Sequence, residues 1–281
     1  MKPVFCRLAI LILALGPKGP AQAQYTFSSV DVPGAKQTYA LGMNDAGQIV
    51  GYYNFSVGSP SHAFLLSDCQ YTTIDVPGAT STQAYGINNA GQIVGGYYNA
   101  DGLTHAFLLN DGEYTTIDVP GATQTWSFGI NDAGQIVGLY AVGTVGHGFL
   151  LSDGEYTIID VPGASSTVPD GINSAGQIVG YYDVGGKDHG FLLSDGEYTT
   201  IDVAGATHTA AYGINEVGQI VGESVGLAGS HGFLLSEGQY TQIDVPDSVR
   251  TVVWRINNAG QLVGWYYDAQ GNLRGFVATP E

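Results

Sequence analysis

An all-β fold is predicted: a six-bladed β-propeller of four-stranded blades, closed by an N-terminal strand that completes the C-terminal blade. Three observations predict it. A unit anchored at Phe27, Tyr71, Tyr114, Tyr156, Tyr198 and Tyr240 recurs every 42 to 44 residues. Each unit splits into short runs rich in Val, Ile, Tyr and Thr, with no helical periodicity. A period in the forties made of strands is what propeller blades produce. Finally, the two ends of the chain hold complementary fragments of one unit.

The second unit shows the four strands plainly: "QAYGIN" (83–88), "QIVGGYY" (92–98), "HAFLL" (105–109) and "YTTIDV" (114–119). "NNAG" or "NDAG" joins the first strand to the second, and "SDGE" or "NDGE" the third to the fourth. Asn, Asp and Gly supply the positive φ that tight hairpins demand. The "QIVG" core lacks apolar/polar alternation, so these strands are expected to be covered on both faces. The glycines after Val50, Val94 and Val137 are expected to let neighbouring sheets approach closely. The last unit runs from "VWRIN" (253–257) through "QLVGWYY" (261–267) to "RGFVA" (274–278) and lacks a fourth strand. A lone fourth strand, Phe27–Val32, stands near the start. Pairing the two removes the open edges an unclosed array would carry.

Lys2 and Arg7, the apolar run Leu8–Gly16 and the small-residue site Ala21–Ala23 read as a secretory leader over residues 1–23. Residues 24–281 are then one exported six-repeat domain, secreted or held in a bacterial periplasm or at the cell surface. An uncleaved N-terminal anchor is the alternative. No later run is long enough to span a bilayer as a helix. Loss of the leader removes Lys2, Arg7, Lys18 and Cys6, leaving five cations against 25 acids and a single cysteine, Cys69. Such a chain is not expected to bind nucleic acid or to insert in a membrane, and no internal disulfide can form.

The triplets His62-Ala63-Phe64 and His105-Ala106-Phe107, the His-Gly-Phe triplets at His147, His189 and His231, and the "IN-x-x-GQIVG" segment carry a resemblance. Together they are similar to the bacterial extracellular repeat family named for its His-Ala-Phe (HAF) triplet. The resemblance covers nearly the whole mature chain; it implies export and repeated β architecture, and no reaction. The sixth unit departs from it, with Arg274 in the histidine position.

Residues present in every unit serve what every unit needs, so unrepeated residues are the better functional candidates. The five histidines lie on third strands, too far from the axis to share one metal ion. They are expected to hydrogen-bond to the Asp of "IDV" (Asp31 and its equivalents) or to the repeated Thr (Thr38 and its equivalents). The Asn of "GIN" is expected to form a turn. One face carries uniform acidic turns, including Asp45, Asp132, Asp153 and Glu155, without the ligand spacing of a calcium loop. The other carries loops of varied sequence, with Lys36, Lys187, Arg250 and Arg274 in or near them, and there a ligand is expected.

First strands should line the axis, with Leu41, Tyr85, Phe128, Asp170, Tyr212 and Trp254 at one equivalent position and Trp126 nearby. Tyr85, Trp126, Tyr212 and Trp254 are the candidate stacking platforms, and Asp170 and Arg250 the directional polar groups. No metal or cofactor is implied. The chain lacks G-x-S-x-G, H-E-x-x-H, phosphate-loop and dinucleotide motifs. The reading is therefore a non-catalytic binding scaffold for an extracellular glycan or protein. Two alternatives stand: a glycan-cleaving enzyme using Asp170 and Glu223 as paired carboxylates, and a structural cell-surface component.

Overall fold

A computed structural model describes residues 25–281. The proposed leader lies outside these residues. All regular structure is β. The chain opens with β1 (Tyr25–Val30), and the first unit then folds as β2 (Gln37–Met43), β3 (Ile49–Asn54), β4 (His62–Ser67) and β5 (Gln70–Thr73). The second holds β6 (Ser81–Ile87), β7 (Ile93–Tyr98), β8 (Thr104–Asn110) and β9 (Glu113–Ile117). The third holds β10 (Gln124–Ile130), β11 (Ile136–Val142), β12 (Val145–Ser152) and β13 (Glu155–Ile159). The fourth holds β14 (Ser166–Ile172), β15 (Ile178–Val184), β16 (Lys187–Ser194) and β17 (Glu197–Ile201). The fifth holds β18 (Ala206–Ile214), β19 (Ile220–Gly226), β20 (Gly229–Ser236) and β21 (Gln239–Ile243). The last comprises β22 (Arg250–Ile256), β23 (Leu262–Tyr267) and β24 (Leu273–Pro280).

Units one to four form separate four-stranded antiparallel meanders. The other strands form one eight-stranded sheet, so five sheets, four of them four-stranded, are seen rather than the six expected. The join between its halves is a single parallel pair, Ser230 with Arg250. At the far edge β1 pairs antiparallel with β24, from Tyr25 opposite Pro280 to Val30 opposite Gly275. First strands touch in sequence from β2 through β6, β10, β14 and β18 to β22, and β22 touches β2. They enclose a central axis.

One phenylalanine per unit anchors the packing. Phe64, Phe107, Phe149, Phe191, Phe233 and Phe276 are 0–2% exposed. Phe107, for example, packs with Ile87 and Ile93 of its own unit and Val50 and Ala63 of the preceding one. Each such ring contributes about 3–5 kcal/mol against truncation to alanine. The glycine after Val50 serves its own sheet, which corrects the expectation. A Cβ at Gly51 would lie 1.9 Å from the Tyr39 carbonyl and 3.0 Å from the Phe64 ring. Close approach between units falls instead to the "GIN" glycines: a Cβ at Gly129 would lie 2.5 Å from the carbonyl oxygen of Asp170.

The repeated polar residues are staples. In five units histidine Nδ1 lies 2.6–2.9 Å from the "IDV" aspartate of the same unit. The repeated threonine has a different task from the one expected: Thr38 Oγ1 accepts the Val32 N–H at 3.1 Å, and every unit repeats this bond across its linker. Arg274 takes the histidine's place in the last unit, donating to Asp31 and Asp268 at 3.2 Å each. It thereby ties the β1 end to β24 across the seam.

Candidate functional site

In every first strand the ladder to the second strand slips by one residue just before the "GIN" position, as between Ala84 and Gly86 or Pro169 and Gly171. The residue left over is Leu41, Tyr85, Phe128, Asp170, Tyr212 or Trp254. A bulge re-aims the side chain of its extra residue, and here it brings these six together. Tyr85 meets Phe128 edge-on at 5.2 Å, and Tyr212 stacks on Trp254 at 4.2 Å with 7° between planes. Tyr52 and Tyr181 extend the two arcs, edge-on to Tyr85 and to Tyr212. All these rings are half-buried. The bulged residues sit third from the turn end of each first strand. Tyr52 and Tyr181, paired with Tyr39 and Val168 two residues nearer the linkers, carry this mouth toward the variable-loop face.

Asp170 stands between the arcs in ring order. It is 2% exposed, and no described residue donates a hydrogen bond to its carboxylate. Burial pushes its pKa up to about 7, opposed by the nearby Arg255 charge. Burial, and after it neighbouring negative charge that includes Asp170, raises the phenols of Tyr85, Tyr181 and Tyr212. Those tyrosines come from the second, fourth and fifth units. A carboxylate felt by all three faces the axis.

Arg255 is the feature the sequence reading passed over. Five units have glycine at this position; the sixth sends an arginine across the axis. Its Nη2 donates to the carbonyls of Phe128 and Asp170, both at 2.8 Å, while Nη1 donates to those of Trp254, at 3.0 Å, and Tyr212. Four units are thereby tied by one side chain. Burial pushes its pKa down to about 10, opposed by Asp170. A small cavity of about 80 Å³ surrounds it, lined by Gly42, Gly86, Gly129 and Gly171. The signal was present: "RIN" replaces "GIN" where a Cβ is otherwise excluded.

At the other end the axis is ringed by repetition, around a cavity of about 70 Å³ lined by Asn44, Asn88, Asn131, Asn215 and Asn257. The "GIN" asparagine does more than form a turn: its Nδ2 donates to the asparagine carbonyl of the next unit, from Asn44 to Asn88 and on to Asn257. Asn257 then bonds back to Asn44 at 3.4 Å. Each Oδ1 also accepts the glutamine N–H four residues on. Asp45, Asn89, Asp132, Ser174, Glu216 and Asn258 form the outer rim of this end, bonding mostly to one another.

The candidate residues therefore divide. Tyr85, Asp170, Tyr212 and Trp254 meet at the mouth. Trp126 packs edge-on to Tyr85 and Tyr98 and fills the space left by Gly96, where a Cβ would lie 2.3 Å from its ring. Arg250 is committed: Nε and Nη2 bond both oxygens of Glu223 at 2.8 and 3.0 Å, with the guanidinium 4.8 Å from the Trp265 centroid. Ser230 donates to Glu223 as well. Glu223 is thus held by two partners, and it and Asp170 both lie near enough to Tyr212 to raise its phenol, after burial. Among the described residues no group of three or more His, Cys, Asp or Glu is placed to hold a metal, and no helix is long and apolar enough to cross a membrane.

No family model matches the chain, and no curated protein matches it. Solved structures do. One provisionally described as TolB from Agrobacterium tumefaciens aligns at TM-score 0.60 and 14% identity, over 88% of this chain and 91% of that one. TolB from Acinetobacter baumannii aligns at 0.57 and 12%, over 90% and 66%. A triple arginine-to-alanine mutant of AofleA from Arthrobotrys oligospora aligns at 0.54 and 11%, over 93% and 88%. The fold is a β-propeller. Its blades are four-stranded, and at such identities the likeness concerns fold alone, so the activity of this propeller rests on its own mouth and rims.

Proposed function

We propose that the chain is an exported, non-catalytic binding propeller that holds an extracellular glycan or protein on its variable-loop face. Counting the eight-stranded sheet as two blades joined at Ser230 and Arg250 gives six blades in all, latched by β1. The family resemblance of the His-Ala-Phe triplets fits this reading, as does residence outside the cytoplasm.

One observation carries the proposal: the two ends of the axis are built differently. The repeated asparagine ring rims one end with side chains already bonded within the protein. The other end bears the unrepeated aromatic mouth, and around it the loops expose apolar tips: Phe55, Leu103, Val142, Val184 and Leu227. Exposed apolar groups gathered on one rim of a rigid scaffold mark an interaction face.

The test is retardation of the purified chain in gels containing soluble polysaccharides, with reducing ends assayed in the same incubations and a parallel capture of extracellular proteins. Retention by either partner that falls at least about tenfold in Phe55→Ser/Leu227→Ser, and not in Asp153→Asn/Glu155→Gln, supports the face assignment. Equal losses in both would move the site. New reducing ends that vanish in Asp170→Asn would replace binding with hydrolysis.

A further inference from the structure

The mouth contains one carboxylate that the described residues leave without a hydrogen-bonding partner, although the Arg255 charge lies nearby. Arg250 is bonded to Glu223 through both carboxylate oxygens, and Arg274 to Asp31 and Asp268. The four terminal N–H groups of Arg255 point at backbone carbonyls. Asp170 alone, almost wholly buried, accepts no hydrogen bond from any described residue. The groups that face it are Arg255 and the phenols of Tyr85, Tyr181 and Tyr212. Around it the rings of Phe128, Tyr212 and Trp254 are also partly open.

A buried carboxylate without a partner is costly, and it is relieved by a cation. Aromatic faces within about 6 Å add their own attraction for a desolvated cation. The chain as a whole carries a net charge of −17, which draws cations rather than anions toward it. A neutral sugar hydroxyl can donate to the carboxylate but brings no positive charge. An ammonium brings both the donor and the charge, and the Arg255 N–H groups are already given to carbonyls.

We propose that the axial mouth binds an alkylammonium group, with Asp170 as counter-ion and Tyr85, Phe128, Tyr212 and Trp254 as the surrounding π walls. The ammonium comes from a lysine side chain or an unacetylated amino sugar. This deepens the binding reading above and rests on it for the identity of the face.

The experiment is calorimetric titration of the full mature chain with choline and with its uncharged isostere 3,3-dimethylbutan-1-ol. Choline is expected to bind at least about tenfold more tightly than the isostere. Its affinity is expected to fall about tenfold between pH 8 and pH 6, as Asp170 takes up a proton. Asp170→Asn should weaken choline by a similar factor. Lysine amide against glucosamine, each beside its N-acetylated form, then identifies the source of the ammonium. Equal binding of choline and isostere, undiminished binding by a folded Asp170→Asn, or acetylated probes bound as tightly as free amines would overturn the proposal. Should the variant fail to fold, the isostere comparison on the unaltered chain decides. Loss of choline binding with retention on the loop tips intact refutes only the ammonium; choline binding with inert loop tips refutes the rim reading instead.

Discussion

The two ends of the axis are made from the same six strands, a few residues apart, and they differ in what repetition left for them to do. At the asparagine end each unit contributes an identical group to the next, so the repeated asparagine side chains bond within the fold. At the mouth the same strands present Leu41, Tyr85, Phe128, Asp170, Tyr212 and Trp254, six positions with five different side-chain types. A ring can hold itself together with one residue type repeated, but it can recognise an asymmetric partner only where the repetition is broken. Stability and the proposed recognition are therefore separated along the axis by little more than one turn of hairpin.

The largest test of this division is removal of the latch. Deleting residues 25–30 strips the whole β1–β24 ladder and uncovers Phe276. The melting temperature is expected to fall by more than about 10 °C, read by calorimetry, far beyond any loop deletion. Next is Asn131→Ala at the repetitive end. It removes donors to the Asn173 carbonyl and the Gln135 side chain, and the acceptor for the Gln135 N–H. A loss of about 2–4 kcal/mol in denaturant unfolding is expected, with no change in ligand binding.

Asp170→Asn at the mouth should act in the opposite direction, and with pH. The folded pKa of Asp170, about 7, lies above the reference value of 3.8. The folded protein therefore holds a proton that the unfolded chain has lost between those values. The stability contributed by Asp170 is full below about pH 4, is lost as pH rises toward 7, and stays lost above it. Replacing the acid by its amide should stabilise the chain at pH 8 by a few kcal/mol relative to the effect at pH 4. A stabilising effect that is the same at both pH values would show that burial of charge is not what distinguishes the mouth. The smallest effect belongs to the exposed acidic turn: Asp153→Asn/Glu155→Gln should change stability by less than about 0.5 kcal/mol.

Much of the architecture can be read from residue order because each unit restates its own strand boundaries. Asp-Gly and Asn-x-x-Gly turns recur at fixed offsets, and their observed φ values are positive where expected, at Asp111 and Gly91 for example. The complementary end fragments pointed to the β1–β24 pair. The axial position of Tyr85, Asp170, Tyr212 and Trp254 was also apparent, because a single column of an aligned repeat that varies in type stands out. The commitment of Arg250 to Glu223 was not: the two are 27 residues apart, on adjacent units, and their contact depends on how those units stack. Arg255 was missed for a similar reason. A change from glycine to arginine looks like drift until the inward bulge shows that this position meets the carbonyls of three other units.

The latch has a consequence for how the chain comes to be folded. Thr26 and Thr279 sit opposite each other although 253 residues separate them. The closing ladder therefore cannot form until β24 has been made, and contacts of such long range form slowly. Until then both β1 and the edge of β23 and β24 are open to partners, including those of a second molecule. An early β1 that docks on another copy's β24 would link two rings by strand exchange, with each ladder intact and every blade complete. Slow closure and high local concentration are the conditions that favour such exchanged pairs, and refolding from dilute solution is the condition that suppresses them.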